Sequence, residues 1–395
     1  CSSDLTLEAT DLAGTPDAVF DLTARGAEGY GGSAGTVRVD GEIAGATTLA
    51  EVVARLEAEA LAWQGNAVDR LTADLAAEDA LAPVPTGRLT ARMEGVTAAG
   101  ARTARADLTA DLAEAEGAAR LTAGLETAPI GADGARVASA RLDATVEDAL
   151  GDPSVEATLA TGAVEAGNAR IESARLEARL GETLSDDPRI AADLSTGPVT
   201  AAQAEIGGVT ARLAGRLSAL DASLSAEGET DGEPVSLAAE AAIDAARAAP
   251  RLRLTRLDAR YGEERASLAT PLTVTAGETI RAEGLDLTLP GGRLAGDAAL
   301  HPAGLSSDVT LRLDDLGIAR RLAGAPVSEG ALDAAIRLDT RPGSAGGRVD
   351  LEASGLRFEQ VVADVGTLDL ALEGDWDGRT ADLDARLSGP VAEPV

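Results

Sequence analysis

The sequence predicts an all-β protein: a long, curled, mostly antiparallel sheet with an open hydrophobic groove and one or two short helices. Three observations predict it. Apolar and polar residues alternate with period two in segment after segment from about residue 70 to residue 387. Turn-forming residues separate these segments at spacings of about 8–15 residues. Composition barely changes along 395 residues, which favours one repetitive architecture over several unlike domains. The domain reading is therefore a single β-rich segment over 1–395, with a less regular start over 1–62 and a helical interruption over 315–323.

The alternation is plain in the residues. Leu368, Leu370 and Leu372 alternate with Asp369 and Ala371, and Val309, Leu311 and Leu313 with Thr310 and Arg312. Ala174, Leu176, Ala178 and Leu180 alternate with Arg175, Glu177 and Arg179. Successive strand side chains point to opposite faces, so each segment is apolar on one face and mostly polar on the other. One wet face implies antiparallel strands, because parallel strands buried on both sides read as continuous apolar runs.

Along the chain, short strands are expected around Leu5–Glu8 and Val37–Ile43. Residues 47–62 fit a helix through Leu49, Val52, Val53 and Leu56, and a strand through Leu56, Ala58, Ala60 and Ala62. The reading is a short helix turning into a strand. Arg-Leu-Thr-Ala recurs at 70, 88 and 120, and Ala-Arg-Leu at seven places from Ala54 to Ala385, with no fixed spacing. Turns are expected at Glu116-Gly117, Gly151-Asp152-Pro153, Asp186-Asp187-Pro188, Gly207-Gly208, Asp231-Gly232, Gly291-Gly292 and Asp377-Gly378. Leu237–Ala249 is Ala-rich but alternates at Leu237, Ala239, Ala241 and Ile243, and reads as a strand. Asp315–Ala323 reads as a short helix ended by Gly324.

Composition sets the chemistry. Hydrophobic residues make up 45% of the chain but aromatics only 2%, so the apolar face is built from Leu, Ala and Val. Small aliphatics suit a shallow open face better than a thick interlocked core. Formal charge is 34 − 66 = −32 and every basic residue is Arg. Without a basic patch the chain is no nucleic-acid binder, and its charge opposes edge-to-edge association. The single Cys1 permits no internal disulfide. Cys1-Ser2-Ser3 reads either as a cut from a larger protein or as the processed end of a bacterial lipoprotein.

No enzyme chemistry is legible. His301 precedes Pro302 and is expected in a solvated turn, without the oriented partners a nucleophile needs. One His and one Cys at unsuitable spacing form no zinc site, and calcium-loop patterns are missing. The expectation is no catalytic residue, no metal and no cofactor. The groove residues expected on one face are Leu121, Leu142, Leu176, Leu213, Leu217, Leu287, Leu311, Leu313, Ile336, Leu338, Leu351, Leu370, Leu383 and Leu387. Their neighbours Arg120, Arg141, Arg175, Arg212, Arg312, Arg337 and Arg386 are expected on the opposite, solvated face.

Residues 284–358 add a resemblance. Leu289-Pro290-Gly291-Gly292-Arg293-Leu294, then the short helical run Ile318–Leu322, then Pro326-Val327-Ser328-Glu329-Gly330 resemble the bacterial TamB family, of the AsmA-like superfamily. Leu338-Asp339-Thr340-Arg341-Pro342 and Gly355-Leu356-Arg357-Phe358 are similar to its alphaproteobacterial members. The resemblance implies a β-taco crossing the periplasm, the inner-membrane subunit of the translocation and assembly module. It implies phospholipid acyl chains as cargo, conducted between inner and outer membranes, and support for outer-membrane protein assembly. It implies an inner-membrane anchor and a TamA-like outer-membrane partner, both engaged through parts absent from this chain. A structural or adhesive surface β-helix of the autotransporter type is the alternative.

Overall fold

Strands account for nearly all of the regular structure, as alternation required. The computed structural model describes residues 2–10, 15, 17–29, 31–45, 50–202, 204–317, 327–341, 343, 345–358 and 367–389. They fall into two units, Cys1–Arg216 and Leu217–Val395.

The first unit opens with seven long strands: β1 (Ser2–Thr10), β2 (Asp17–Gly29), β3 (Gly32–Ala44), β4 (Glu51–Trp63), β5 (Asn66–Glu78), β6 (Thr86–Ala98) and β7 (Ala101–Ala115). Five broken paths follow. They are β8 (Ala118–Thr127) with β9 (Ile130–Ala132), β10 (Ala135–Val137) with β11 (Ala140–Glu147), and β12 (Ser154–Thr161) with β13 (Val164–Ala166). The last two are β14 (Ala169–Ile171) with β15 (Ala174–Gly181), and β16 (Arg189–Thr196) with β17 (Val199–Ala201). β18 (Ala204–Arg216) completes thirteen paths, each antiparallel to the next.

The second unit is also an antiparallel meander. It runs through β19 (Ala219–Thr230), β20 (Glu233–Asp244), β21 (Arg251–Tyr261), β22 (Glu264–Leu268), β23 (Leu272–Thr275) and β24 (Ile280–Leu289). It continues through β25 (Gly292–His301), β26 (Gly304–Leu313), β27 (Val327–Asp339), β28 (Gly346–Phe358), β29 (Leu368–Trp376) and β30 (Ala381–Ser388).

Several sequence expectations change. The helical start of residues 47–62 is strand: Val52, Val53 and Leu56 lie in β4, paired with β3 on one side and β5 on the other. Tertiary pairing overrides the local helical pattern there; Leu49 lies outside the described residues. Leu237–Ala249 begins as strand, in β20, as expected. The Asp315–Ala323 helix and the Ile318–Leu322 motif fall almost wholly outside the described residues. Gly207-Gly208 is no turn but lies inside β18, where Gly208 approaches the Thr196 carbonyl too closely for a side chain. His301 is not in a solvated turn. It ends β25 half-buried, with Thr279 Oγ1 3.2 Å from Nδ1 and Ser306 Oγ 3.3 Å from Nε2. Pro302 fits because it follows the last ladder position.

Spacing is the largest correction. In the first unit the register repeats every 34 or 35 residues, two strand paths per repeat. Leu5, Val39, Ala73, Leu108, Leu142, Leu176 and Ala211 occupy equivalent positions, as 39 − 5 = 34 and 108 − 73 = 35 show. TAPIGADGARVASARLDA from Thr127 and TGAVEAGNARIESARLEA from Thr161 show the repeat in sequence.

One line of irregularity crosses twelve of the thirteen paths at this period. Register skips between Arg25↔Thr36 and Ala27↔Ala34, between Glu59↔Arg70 and Leu61↔Val68, and between Glu94↔Arg105 and Val96↔Thr103. It skips again between Thr127↔Ala140 and Ile130↔Val137, and so on to β18. Gly26, Ala60 and Gly95 on this line have φ of 59°, 52° and 62°, the left-handed region. Further along it the ladder is cut at Pro129, Gly162 and Pro198. The line is a crease dividing each path into a long main panel and a short outer panel.

Candidate functional site: an apolar sheet face

Directly paired residues of antiparallel strands share a face, so register can be followed across the sheet. In the first unit one row runs Leu5, Leu22, Val39, Leu56, Ala73, Ala91, Leu108, Leu125, Leu142, Leu159, Leu176, Leu194, Ala211. All thirteen are apolar. The next row on that face is Leu7, Phe20, Gly41, Ala54, Leu75, Leu89, Ala110, Ala123, Ala144, Ala157, Ala178, Ala192, Leu213. Thirteen paths about 4.8 Å apart make an apolar face on the order of 60 Å long.

Side-chain size is also patterned. From β7 to β16 the second row is alanine at six successive paths, Ala110 to Ala192. On one side stand six leucines, Leu108 to Leu194. On the other stand Leu112, Leu121, Val146, Val155, Leu180 and Ile190. Rows two residues apart lie roughly 6.6 Å apart, so the ridges are about 13 Å apart with a gutter between them. The gutter spans about 24 Å along six paths. An extended alkyl chain advances about 1.3 Å per carbon, so sixteen to eighteen carbons would occupy most of it.

The opposite face is polar. One row reads Asp4, Thr23, Arg38, Glu57, Thr72, Arg92, Asp107, Glu126, Arg141, Ala160, Arg175, Ser195, Thr210. Arginines bridge acids on adjacent paths: Arg38 to Asp21 at 2.7 Å, Arg92 to Asp107 at 2.9 Å, Arg179 to Glu156 at 2.9 Å. The shallow hollows found along the chain are floored by the sheet and walled by these charged side chains.

In the second unit Leu268, Leu287, Leu294, Leu311, Ala334, Leu351, Leu372 and Ala385 form one apolar row. Leu289, Gly292, Leu313, Leu332, Ala353, Leu370 and Leu387 form the next. Leu316 covers part of this face, packing with Ala353 and Leu356 against Leu313, Leu332, Leu351, Leu368 and Leu370. The Leu-Pro-Gly-Gly-Arg-Leu motif has a structural explanation here. Gly291 takes φ of 63° in the turn, and Gly292 lies where a Cβ would strike the Arg312 carbonyl. Arg293 grips the buried Asp286 through two hydrogen bonds of 2.6 and 2.5 Å.

The predicted groove residues distribute accordingly. Leu121, Leu142, Leu176 and Leu213 share the apolar face of the first unit. Leu287, Leu311, Leu313, Ile336, Leu338, Leu351, Leu370, Leu383 and Leu387 share that of the second. Leu217 is the exception and lies in a turn, because β18 ends at Arg216. Leu313, Leu351 and Leu370 belong to the covered patch, whereas Leu383 and Leu387 on β30 are 68% and 67% exposed. The seven arginines are all on solvated side chains, from Arg120 to Arg386. Sequence reasoning missed the alanine gutter because it becomes visible only once register aligns residues 13–21 apart.

Among the described residues no three His, Cys, Asp or Glu side chains gather as a metal site, and no helix is long and apolar enough to cross a membrane. Every strand pairing described is antiparallel, which departs from the parallel coils of a surface β-helix. No family model, no curated protein and no solved structure matches the chain.

The polar ladder carries one pH-dependent expectation. Hydrogen bonding from Arg105 holds the Asp107 carboxyl below its usual range, opposed by partial burial and helped by Arg92. A depressed folded-state value contributes stability that is present above the ordinary carboxylate range and lost as pH falls through the folded value. In urea unfolding at pH 7 the Asp107→Asn variant is expected to be less stable than wild type by about 0.2–1 kcal/mol, discounted for partial exposure. The gap should narrow at pH 3, below the ordinary carboxylate range. A gap unchanged between the two pH values would remove Asp107 as its source.

Proposed function

We propose that this chain is a non-enzymatic, lipid-conducting segment of a TamB-like protein. In this reading it lies in the periplasm, is tied to the inner membrane by a segment outside this chain, and passes phospholipid acyl chains toward the outer membrane along a β-taco groove. It also supports outer-membrane protein assembly, with a TamA-like partner engaged elsewhere in the protein. The observation that carries the reading is the pair of thirteen-residue apolar rows, with no second layer of secondary structure among the described residues to cover them. Apolar surface of that extent is costly in water, and each CH₂ of an acyl chain removed from water there gains about 0.8 kcal/mol. The Leu–Ala–Leu/Val profile supports a linear alkyl occupant, which needs width and length but no directional bonds.

The test uses a photo-crosslinking amino acid at Leu311, on the apolar row, and at Arg312, whose side chain is 70% exposed on the other face. Phospholipid is expected on the first and not on the second. Equal labelling at both positions would overturn the assignment.

A further inference from the structure

Two of the buried residues of the first unit lie beside the crease. Ala58 and Ala106 lie on the apolar face next to the crease and are only 2% and 5% exposed. They are mid-strand alanines in rows that lack a covering layer. The other two buried alanines of this unit, Ala50 and Ala119, accept hydrogen bonds from the turn residues Ala80 and Ala149 and lie at the opposite strand ends. Ala58 is flanked in its row by Val37 and Leu71, and Ala106 by Met93 and Thr127, so the small alanines lie beneath larger neighbours at the edge of the main panel. The outer panel has its own row of Ile130, Val137, Val164, Ile171, Val199 and Ile206, all half-buried.

We propose that the crease is a hinge, and that the outer panel swings about it to open and close the edge of the apolar face. Such a hinge is independent of what occupies that face. Ladder pairing is missing at the same level on twelve adjacent paths, so rotation there breaks few backbone bonds. Backbone bridges remain: Ala128 N–H to the Arg105 carbonyl, and pairs formed by Ala138 N–H to the Ala163 carbonyl with Gly162 N–H to that of Ser139 and by Glu172 N–H to the Pro198 carbonyl with Gly197 N–H to that of Ser173, all 2.8–3.0 Å. They tie the panels together without fixing a continuous pleat. On β2, β4 and β6 the line is marked by the left-handed residues Gly26, Ala60 and Gly95. Ala60 adopts this conformation although its side chain disfavours it, so the surrounding structure imposes it. At Gly95 a Cβ would collide with the Asp69 carboxylate, so both φ and space demand glycine.

The test measures distance across the crease by double electron–electron resonance on the full chain carrying Cys1→Ser. Spin labels go on Arg102→Cys and Glu114→Cys, exposed positions of β7 on either side of the line. A straight path of twelve residues spans about 40 Å, and a right-angled bend near residue 105 shortens it to about 32 Å. A hinge predicts a distribution spanning both lengths, while a control pair on Arg120→Cys and Glu126→Cys, within the main panel, stays narrow. Gly95→Val should move the population to the longer distance, since a β-branched residue resists left-handed φ. A single narrow distance in the wild-type chain overturns the hinge whether or not the valine variant folds. A distribution unchanged in a folded Gly95→Val variant does so as well.

Discussion

On the proposed function, an arginine in place of Leu311 is expected to slow lipid passage on the order of 100-fold while leaving the sheet folded. Leu311 pairs with Leu294 on β25 and with Ala334 on β27, so the new side chain would enter the apolar row between them. An acyl chain moving along that row would have to pass a guanidinium stripped of water. Placing Arg in an apolar environment costs roughly 3 kcal/mol on insertion scales, and a barrier of that size slows passage on the order of 100-fold. The sheet should survive because each path is held mainly by its two neighbours. The control is Arg312→Glu on the opposite face. It sets a like charge near Asp314 and Asp333, whose present distances from Arg312 are 3.9 and 3.7 Å. Exposed pairs of this kind are worth about 0.2–1 kcal/mol, so stability should fall little and conduction not at all. Both changes are compared at matched abundance, with outer-membrane integrity as the readout that the proposed function predicts. Normal lipid delivery with Leu311→Arg would reduce the apolar face to a structural core.

Where the sequence was readable, the reason is that period-two alternation is local. Leu368–Leu372 and Ala174–Leu180 announce both the strand and the face each residue takes, and both lie in strands with that alternation. Hairpin turns such as Glu116-Gly117 and Asp231-Gly232 were legible for the same reason: a left-handed residue must sit there. What stayed hidden depends on register. The 34–35-residue repeat is diluted by substitution, so that only the copies from Thr127 and Thr161 read alike at a glance. The crease is hidden further, because Ala60 takes a glycine-like conformation without being glycine. Gly207-Gly208 misled in the opposite sense. Gly208 serves a close backbone approach inside a strand, which composition alone cannot tell from a turn. The covered patch around Leu316 was illegible because alternation gives the face and says nothing of what lies over it.

On the proposed function, filling the alanine gutter should cost the chain its bound lipid without disturbing the fold. Ala144 and Ala157 are directly paired on β11 and β12, between the leucine ridge at Leu142 and Leu159 and the valine ridge at Val146 and Val155. Phenylalanine at both positions would raise the gutter floor to the height of its walls. No second layer of secondary structure described lies above to clash, so the added rings should be tolerated and even cover neighbouring leucines. The usual overpacking cost of about 1–3 kcal/mol applies to closed cores and should largely be avoided here. The control is Thr158→Phe, one residue away on the polar face. Native mass spectrometry of the purified chain, with lipid counted per molecule, is the readout. Ala144→Phe/Ala157→Phe should lose most of the bound lipid, and Thr158→Phe should keep it at wild-type level. Equal occupancy in all three proteins would mean that acyl chains, if held, do not lie in the gutter. The distinction matters physically. A gutter aligned across the strands gives a chain the same surroundings at each successive path, so it meets only small barriers as it advances. A patchwork of leucines would instead trap it at each step. The six consecutive alanines make the path smooth, and two bulky rings placed side by side are the smallest change that interrupts it.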